Sequence, residues 1–436
     1  MGYNSQSTEK NSPTPAAYRV VCGQALGGRV RVPGSKSMTQ RYFNLALVGA
    51  RGLVVRHPLR SEDPELFLGA LAAAGFGVER RAEEVALVPG ERPAAGEIFC
   101  GNGGTMFRFL TAALATVPGT WRLDGVPRLR ERPVGPLVTA LRQLGAEVDC
   151  PRAEGFAPIV VHGGTLRGGR ATLDAGASSQ YLSALLMAAL AAPEPVTVEV
   201  AALASEPYVD LTLDAVAELG GRVTREGGGF QVEPGLAGGV SAVTVEGDFS
   251  AAAYPAAAAA LAGGEVEIAG LSASSRQGDR GFVDLLGRMG ARITWRGDAL
   301  SVGRGELTAV DVDLSAMPDQ VPTLAAVAPF ARGTTRIGNV AQLRIKESDR
   351  LKAMARELGR LGVPVEELGD GLVIPGVWAD EAPPSAPVEV DAWNDHRIAM
   401  SLALVGLRRP GVVIRDPGVV VKSYPDFWRD LELLQG

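Results

Sequence analysis

Along the chain, stretches that are apolar on nearly every face alternate with stretches that are apolar along one stripe. The first kind comprises residues 39–50, 105–116, 180–191, 249–262, 320–331 and 396–407, rich in Ala, Leu, Val and Met. Hydrophobicity all round predicts buried helices. The second kind ends in glycine: AAAGFGV at Gly75, RQLGAEV at Gly145, AELGGRV at Gly220, GRMGARI at Gly290 and GRLGVPV at Gly362, with ELLQG closing the chain at Gly436. The intervals are 70, 75, 70, 72 and 74 residues. An amphipathic helix that stops on a left-handed glycine and hands over to a strand accounts for the first five. Runs such as VTVEV (196–200), EVEIA (265–269) and GVVIR (411–415) supply strands between the helices.

The repeating unit is therefore strand, buried helix, strand, amphipathic helix, two strands (βαβαββ), six times over. Six units in 436 residues exceed one core, so they group three and three into two similar α/β domains. The link falls near residue 247, and the strand-like segment 18–33 ahead of the first unit can pair with either domain. Residues 1–17 are polar and lack the basic-then-apolar order of a signal peptide, which predicts a disordered tail.

Each buried helix follows a polar cluster: SKS at 35–37, GNGGT at 101–105, SSQ at 178–180, EGD at 246–248, PDQ at 318–320 and NDH at 394–396. Taken singly, such clusters are helix caps. Six of them in two triplets predict more. If the helix N-termini face a common interdomain cleft, their unpaired N–H groups and positive dipole ends make it a site for anions.

Composition supports a soluble protein: 46% hydrophobic and 21% charged residues exclude wholesale disorder. A net charge of −6 excludes bulk attraction of nucleic acid, so an anion site must be a local gathering of cations. The longest apolar stretch, 251–262, is too short for a membrane span and is interrupted by Pro255. Cys22, Cys100 and Cys150 form no CxxC pair, which suits a reducing cytoplasm, and neither they nor His57, His162 and His396 have metal-ligand spacing.

Lysine occurs only at 10, 36, 346, 352 and 422, against 38 arginines. Where the indifferent surface cation is Arg, a Lys marks a place for a compact ammonium. Lys36, Lys346 and Lys422 fall in polar segments near the predicted helix ends, as do Arg41, Arg108, Arg128, Arg130, Arg132, Arg344, Arg350 and Arg397. GSKS at 34–37 is not a nucleotide phosphate loop, because Ser35 stands where that loop needs Gly before the Lys.

The segments PGSKSMTQR (33–41), GNGGTMFR (101–108), PRLRERPVG (127–135), SSQYLSALLMAAL (178–190), SEPYVDLTL (205–213), PDQ (318–320), RIKESDRL (344–351), NDHRIAM (394–400) and KSYPDFW (422–428) resemble, in order and spacing, the 5-enolpyruvylshikimate-3-phosphate synthases of the enolpyruvyl transferase family. The resemblance spans residues 18–436. It implies two inside-out, barrel-like α/β domains, 34–246 and 18–33 plus 247–436, with the chain crossing between them twice. It further implies a monomer with no cofactor, no metal and no nucleic-acid or membrane partner. The implied substrates are shikimate 3-phosphate and phosphoenolpyruvate, joined by addition and elimination through a tetrahedral ketal.

By the same resemblance, the catalytic residues are Asp319, Glu347, Lys36, Lys422 and His396. Asp319 is the base at the 5-hydroxyl, Glu347 exchanges a proton at the methylene carbon, and His396 is an orienting group. Lys36, Ser37, Arg41, Ser178, Ser179, Gln180, Ser205, Asp319, Gln342 and Lys346 hold shikimate 3-phosphate. Lys36, Gly104, Arg132, Gln180, Arg350, Arg397 and Lys422 hold phosphoenolpyruvate, and Asn102, Thr105, Arg108, Arg128 and Asp395 support the cleft. Gly104 also leaves the space that glyphosate uses in sensitive members.

Three positions depart from the family pattern: Gln342 for an Asn, Glu206 for a cation, and Phe109 for a Pro. Two other readings compete. One is the sister enzyme acting on UDP-N-acetylglucosamine, which carries a reactive Cys in the loop DGVPRLRERP; no Cys lies between 101 and 149. The other is a non-catalytic anion-binding module, which the joint presence of Lys36, Asp319, Glu347, Arg397 and Lys422 argues against.

Overall fold

The computed structural model describes residues 16–436. The helices are α1 (Lys36–Val48), α2 (Glu62–Ala73), α3 (Gly104–Ala113), α4 (Gly135–Gln143), α5 (Ser179–Ala189), α6 (Pro207–Glu218), α7 (Phe249–Ala262), α8 (Gly281–Met289), α9 (Val321–Val327), α10 (Arg350–Leu361), α11 (His396–Gly406) and α12 (Phe427–Gln435). The odd-numbered ones are the buried series and the even-numbered ones the amphipathic series. Burial on all faces follows from composition: every Ala of α7 except Ala262 is buried. That helix runs on through Pro255 rather than breaking there. Close packing in the second core outweighs the lost hydrogen bond. The glycines at 75, 145, 220, 290 and 362 all take positive φ, between 81° and 117°, as helix stops require.

Five four-stranded sheets share one plan, in which a parallel pair brackets the buried helix and an antiparallel hairpin follows the amphipathic one. In Gly169–Ala175, Val196–Leu203, Gly229–Glu233 and Arg222–Glu226, the first two strands are parallel and the rest antiparallel. The opening strand of two units is borrowed. Ala242–Thr244 lies parallel to Leu53–Arg56 and heads the first unit. Leu26–Arg31 lies parallel to Gly264–Ala269 and heads the fourth. The sixth sheet has three strands, with Ala17–Arg19 antiparallel to Val412–Arg415. The predicted tail thus gives Ala17 to a strand, and residues 1–15 lie outside the described residues.

Two hydrophobic cores result, one of residues 38–245 and one joining Val20–Val32 with residues 249–434. The chain therefore folds as two α/β domains and crosses between them twice. The crossings run side by side and antiparallel, with Gly34 opposite Gly247. Ser35 N donates to Glu246 O at 2.8 Å and Asp248 N to Pro33 O at 2.9 Å. Both glycines are needed for room, since a Cβ at either would collide with backbone, at His57 and at Gly270. No helix among the described residues is long and apolar enough to cross a membrane.

Candidate functional site

The starts of all six buried helices reach one cavity between the cores. Lys36 and Ser37 come from α1, Gly104 and Thr105 from α3, Ser178, Ser179 and Gln180 from α5, and Asp248 and Ser250 from α7. Asp319 comes from the tight turn Pro318–Gln320 leading into α9, and Arg397 from the first turn of α11. Side chains cap four of these ends. Ser35 caps α1, Ser178 caps α5, Asp248 caps α7 and Asp395 caps α11. Asp248 does more: one oxygen accepts from Ser250 N at 2.7 Å, the other from Lys36 N at 2.9 Å. One carboxylate thereby ties together the N-termini of helices from different cores.

Asp319 does not cap α9. It accepts instead from Arg350 at 2.9 Å and Arg397 at 2.7 Å. Arg350, almost fully buried, also bonds Asp395 at 2.8 Å and Glu347 at 3.0 Å. Glu347 lies 3.9 Å from both Arg132 and Lys422. Opposite, the Asp63 carboxylate stands between two lysines, 3.6 Å from Lys36 and 3.5 Å from Lys422. The Asn102 carbonyl gathers Arg132 at 2.9 Å, Lys422 at 3.1 Å and Gly104 N at 3.1 Å. Six cations and four carboxylates line the cavity, so the pocket is positive but internally paired.

Charge pairing decides the protonation states. Burial works against the Asp319 carboxylate, but Arg397, Lys346, Arg350 and Lys36 outweigh it and hold the group below the usual carboxylate range. Burial likewise opposes ionised Glu347, yet Arg132, Arg350, Lys422 and Lys36 keep it ionised. Burial pushes Lys346 down to about 8, with Asp319 pulling the other way.

Most of the residues singled out from sequence line this cavity: Lys36, Ser37, Arg41, Gly104, Arg132, Ser178, Ser179, Gln180, Ser205, Asp319, Gln342, Lys346, Glu347, Arg350 and Arg397. Two do not. Lys422 sits just behind, reaching Asp63 and Asn102 with its ammonium. His396, expected among the catalytic residues, is sealed behind the wall, and neither ring nitrogen has a hydrogen-bond partner among the described residues. Burial, then Lys36 and Arg397, push its pKa well down, so it is a neutral ring packed at the start of α11. The Gly104 N–H, expected to face a ligand, is turned to Asn102 by the tight bend ahead of α3.

Supporting contacts are specific. Gln180 is held from both ends, Arg108 donating to its Oε1 at 2.5 Å and its Nε2 donating to Thr105 at 2.9 Å. Arg128 crosses the cleft to the carbonyls of Lys346 and Arg344, at 3.1 Å each. Ser205, at φ 53°, crosses to Ser315 O at 3.0 Å. Of the three departures, Gln342 leaves Nε2 buried with no partner among the described residues. Glu206 turns outward to Arg225 at 2.5 Å. Phe109 is fully buried with the Arg41 guanidinium 5.5 Å from its ring centre, and α3 still begins at Gly104.

Sequence reasoning missed Asp63, Tyr208 and Ser250 in the cavity wall, and it named Asp248 only within the EGD cluster at a helix start. Asp63 reads as an ordinary acid in a helix first turn, and Tyr208 as one more apolar residue of α6.

The sequence profile of the family described as "EPSP synthase (3-phosphoshikimate 1-carboxyvinyltransferase)" matches residues 20–431. A 3-phosphoshikimate 1-carboxyvinyltransferase of Syntrophobacter fumaroxidans is 46% identical over 418 residues, covering 94% of this chain and 97% of the relative. One from Nitrosomonas europaea is 42% identical, covering 93% and 95%. Among solved structures, an EPSP synthase from Acinetobacter baumannii superposes with a TM-score of 0.80 at 27% identity, covering 95% and 97%. The enolpyruvyl transferase NikO of Streptomyces tendae shares the fold, with a TM-score of 0.75 at 19% identity over 96% and 97%.

Proposed function

The chain belongs to the EPSP synthase family, and from that membership we propose how its cleft carries out the family reaction. The enzyme transfers the enolpyruvyl group of phosphoenolpyruvate to the 5-hydroxyl of shikimate 3-phosphate, giving 5-enolpyruvylshikimate 3-phosphate and phosphate. Two phosphates and two carboxylates must share one cleft, and their repulsion demands cations and helix ends around them. Lys346, with the hydroxyls of Ser178, Ser179 and Ser205, holds the 3-phosphate, Ser205 trading its bond to Ser315. Ser37 and Arg41 hold the shikimate carboxylate, and the free Gln342 amide donates to the same substrate. Arg132, Arg350, Arg397 and Lys422, beside Gly104, hold phosphoenolpyruvate. Lys36 and the doubly anchored Gln180 stand between the two ligands.

In the first step the 5-hydroxyl oxygen bonds to the central carbon of phosphoenolpyruvate while the methylene carbon gains a proton. In the second, the bond from the central carbon to the phosphate oxygen breaks, and the new methyl group loses a proton. Asp319 takes the hydroxyl proton, and Glu347 with Lys422 handles the proton at the methylene carbon. The substrate anions take over guanidinium N–H groups that Asp319 and Glu347 occupy, so both carboxylates regain basicity when both ligands are present. His396 stays outside this path.

The observation that carries this reading is Asp319 held by Arg350 and Arg397 in a cavity that also admits Lys36 and Lys346. We assign the domains to 34–246 and to 18–33 with 247–436. We further propose that it acts as a monomer, in the cytoplasm, where three free thiols suit a reducing compartment. Phosphate release from phosphoenolpyruvate tests the function. Release should require shikimate 3-phosphate and not occur with UDP-N-acetylglucosamine; the reverse preference would identify the sister enzyme, and release with neither a binding module.

A further inference from the structure

Helix α10 carries Arg350 in its first turn and, seven residues on, Glu357. Glu357 is only 1% exposed and does not line the cavity. Its Oε1 accepts from the Trp393 indole N–H at 3.0 Å. Its Oε2 accepts from Asp391 N at 3.1 Å and from Arg360 at 2.9 Å. The residues it grips are unusual: Trp393 and Asn394 both have left-handed backbone, φ 54° and 50°. A bulky aromatic in that region is an outlier, and it persists only where its surroundings hold it. Asp391 Oδ1 accepts from Trp393 N at 2.6 Å, and Arg356 lies 5.7 Å from the centre of the indole ring.

The next residues are functional. Asp395 caps α11 and binds Arg350 at 2.8 Å, and Arg397 reaches Asp319 at 2.7 Å. Helix α10 therefore holds segment 391–397 at two points, through Arg350 to Asp395 and through Glu357 to Trp393 and Asp391. We infer that Glu357 is a positioning residue for the transfer reaction: it locks the left-handed Trp393–Asn394 pair and so sets the direction from which Asp395 meets Arg350 and Arg397 enters the cavity. The inference rests on the reading that Arg350 and Arg397 bind phosphoenolpyruvate.

Steady-state kinetics of Glu357→Ala, Glu357→Gln and Trp393→Phe test it, with melting temperatures measured alongside. Trp393→Phe keeps the ring and removes the indole donor. Small misplacement of binding groups costs about tenfold to a hundredfold, so Glu357→Ala and Trp393→Phe should raise KM for phosphoenolpyruvate and lower kcat to that extent. KM for shikimate 3-phosphate should change less than about twofold, the pathway from Glu357 leading to Arg397 and not to Lys346. Glu357→Gln keeps an acceptor for the indole and should recover most of the phosphoenolpyruvate affinity. A fall in kcat alone, with both KM values unchanged, would mean only lost folded protein and overturns the inference. If Glu357→Ala does not fold, Trp393→Phe decides by the same criterion. Arg397→Gln is the control: if it leaves KM for phosphoenolpyruvate unchanged, the underlying assignment fails and the inference with it. A raised KM there with a silent Trp393→Phe sinks the inference alone.

Discussion

The Tyr208 hydroxyl donates to the Asp279 carboxylate at 3.0 Å, and the two residues belong to opposite sides of the cleft. Tyr208 packs on the first core; Asp279 lies in the turn leading into α8 of the second. Ser250, in the cavity wall, donates to the same Asp279 oxygen. One buried acid thus pins a wall residue from each domain.

That acid should leave a mark on stability. Burial, then the Asp319 charge, push Asp279 up to about 6, with Arg397 opposing. An unfolded Asp titrates near about 3.9, so the folded state holds the extra proton between those values. The contribution is fully present below about pH 4 and lost as pH rises through about 6. Wild type should therefore lose stability relative to Asp279→Asn between pH 4 and 7. Denaturant melts across that range read the difference, and a pH-independent gap would contradict the assignment.

Lys346 should control the alkaline side of activity. Its pKa of about 8 means that the ammonium holding the 3-phosphate deprotonates above that pH. The value of kcat/KM for shikimate 3-phosphate, which reports the free enzyme, should fall about tenfold per unit there. Lys346→Arg, which stays charged, should flatten the limb, and an unaltered profile would remove Lys346 from that role.

At Gly104 a methyl group would lie 2.5 Å from Arg132 Cζ, and contact its terminal nitrogens. The guanidinium must move. Gly104→Ala should raise KM for phosphoenolpyruvate on the order of tenfold and leave that for shikimate 3-phosphate within about twofold. The same variant should resist glyphosate where the native protein is inhibited, since Phe109 leaves the start of α3 in place. Inhibition constants for both forms check this.

Asp319→Ala should lower kcat by about 10²–10⁴, the range for a lost general base. It frees Arg350 and Arg397 from a competing carboxylate, so KM for phosphoenolpyruvate should not rise. Phosphate-release kinetics would expose a KM-only effect, which would demote Asp319 to a structural anchor.

The cleft is held by hydrogen bonds as well as charge. Converging dipoles suggest that it should resist closing, yet carboxylates interleave the cations, and Arg128 bonds two carbonyls across the gap. Arg128→Ala should enlarge the radius of gyration in solution scattering, and shikimate 3-phosphate plus glyphosate should restore it. No enlargement would show that Arg128 does not hold the cleft.

Much of the site was legible because its parts are local. SKS, SSQ and NDH announce helix starts that do cap or begin α1, α5 and α11. The scarcity of lysine pointed to Lys36 and Lys346 in the wall and Lys422 just behind it. Asp63, Tyr208 and Asp279 were not legible. A buried acid bridging two lysines has the same local sequence as an acid facing water at any helix start. His396 shows the converse: its neighbour Arg397 lines the cavity, but its own ring is buried behind the wall.

The sequence by itself determined the sixfold rhythm, the two kinds of helix and the glycine stops, because each depends on neighbours within one or two turns. Only the tertiary structure decided that Ala242–Thr244 opens the first unit and Leu26–Arg31 the fourth, since strand pairing is a choice among distant partners. It also decided which charges meet. Lys36, Asp63 and Lys422 are brought together from opposite ends of the chain, and burial in a shared low-dielectric wall makes their pairing count.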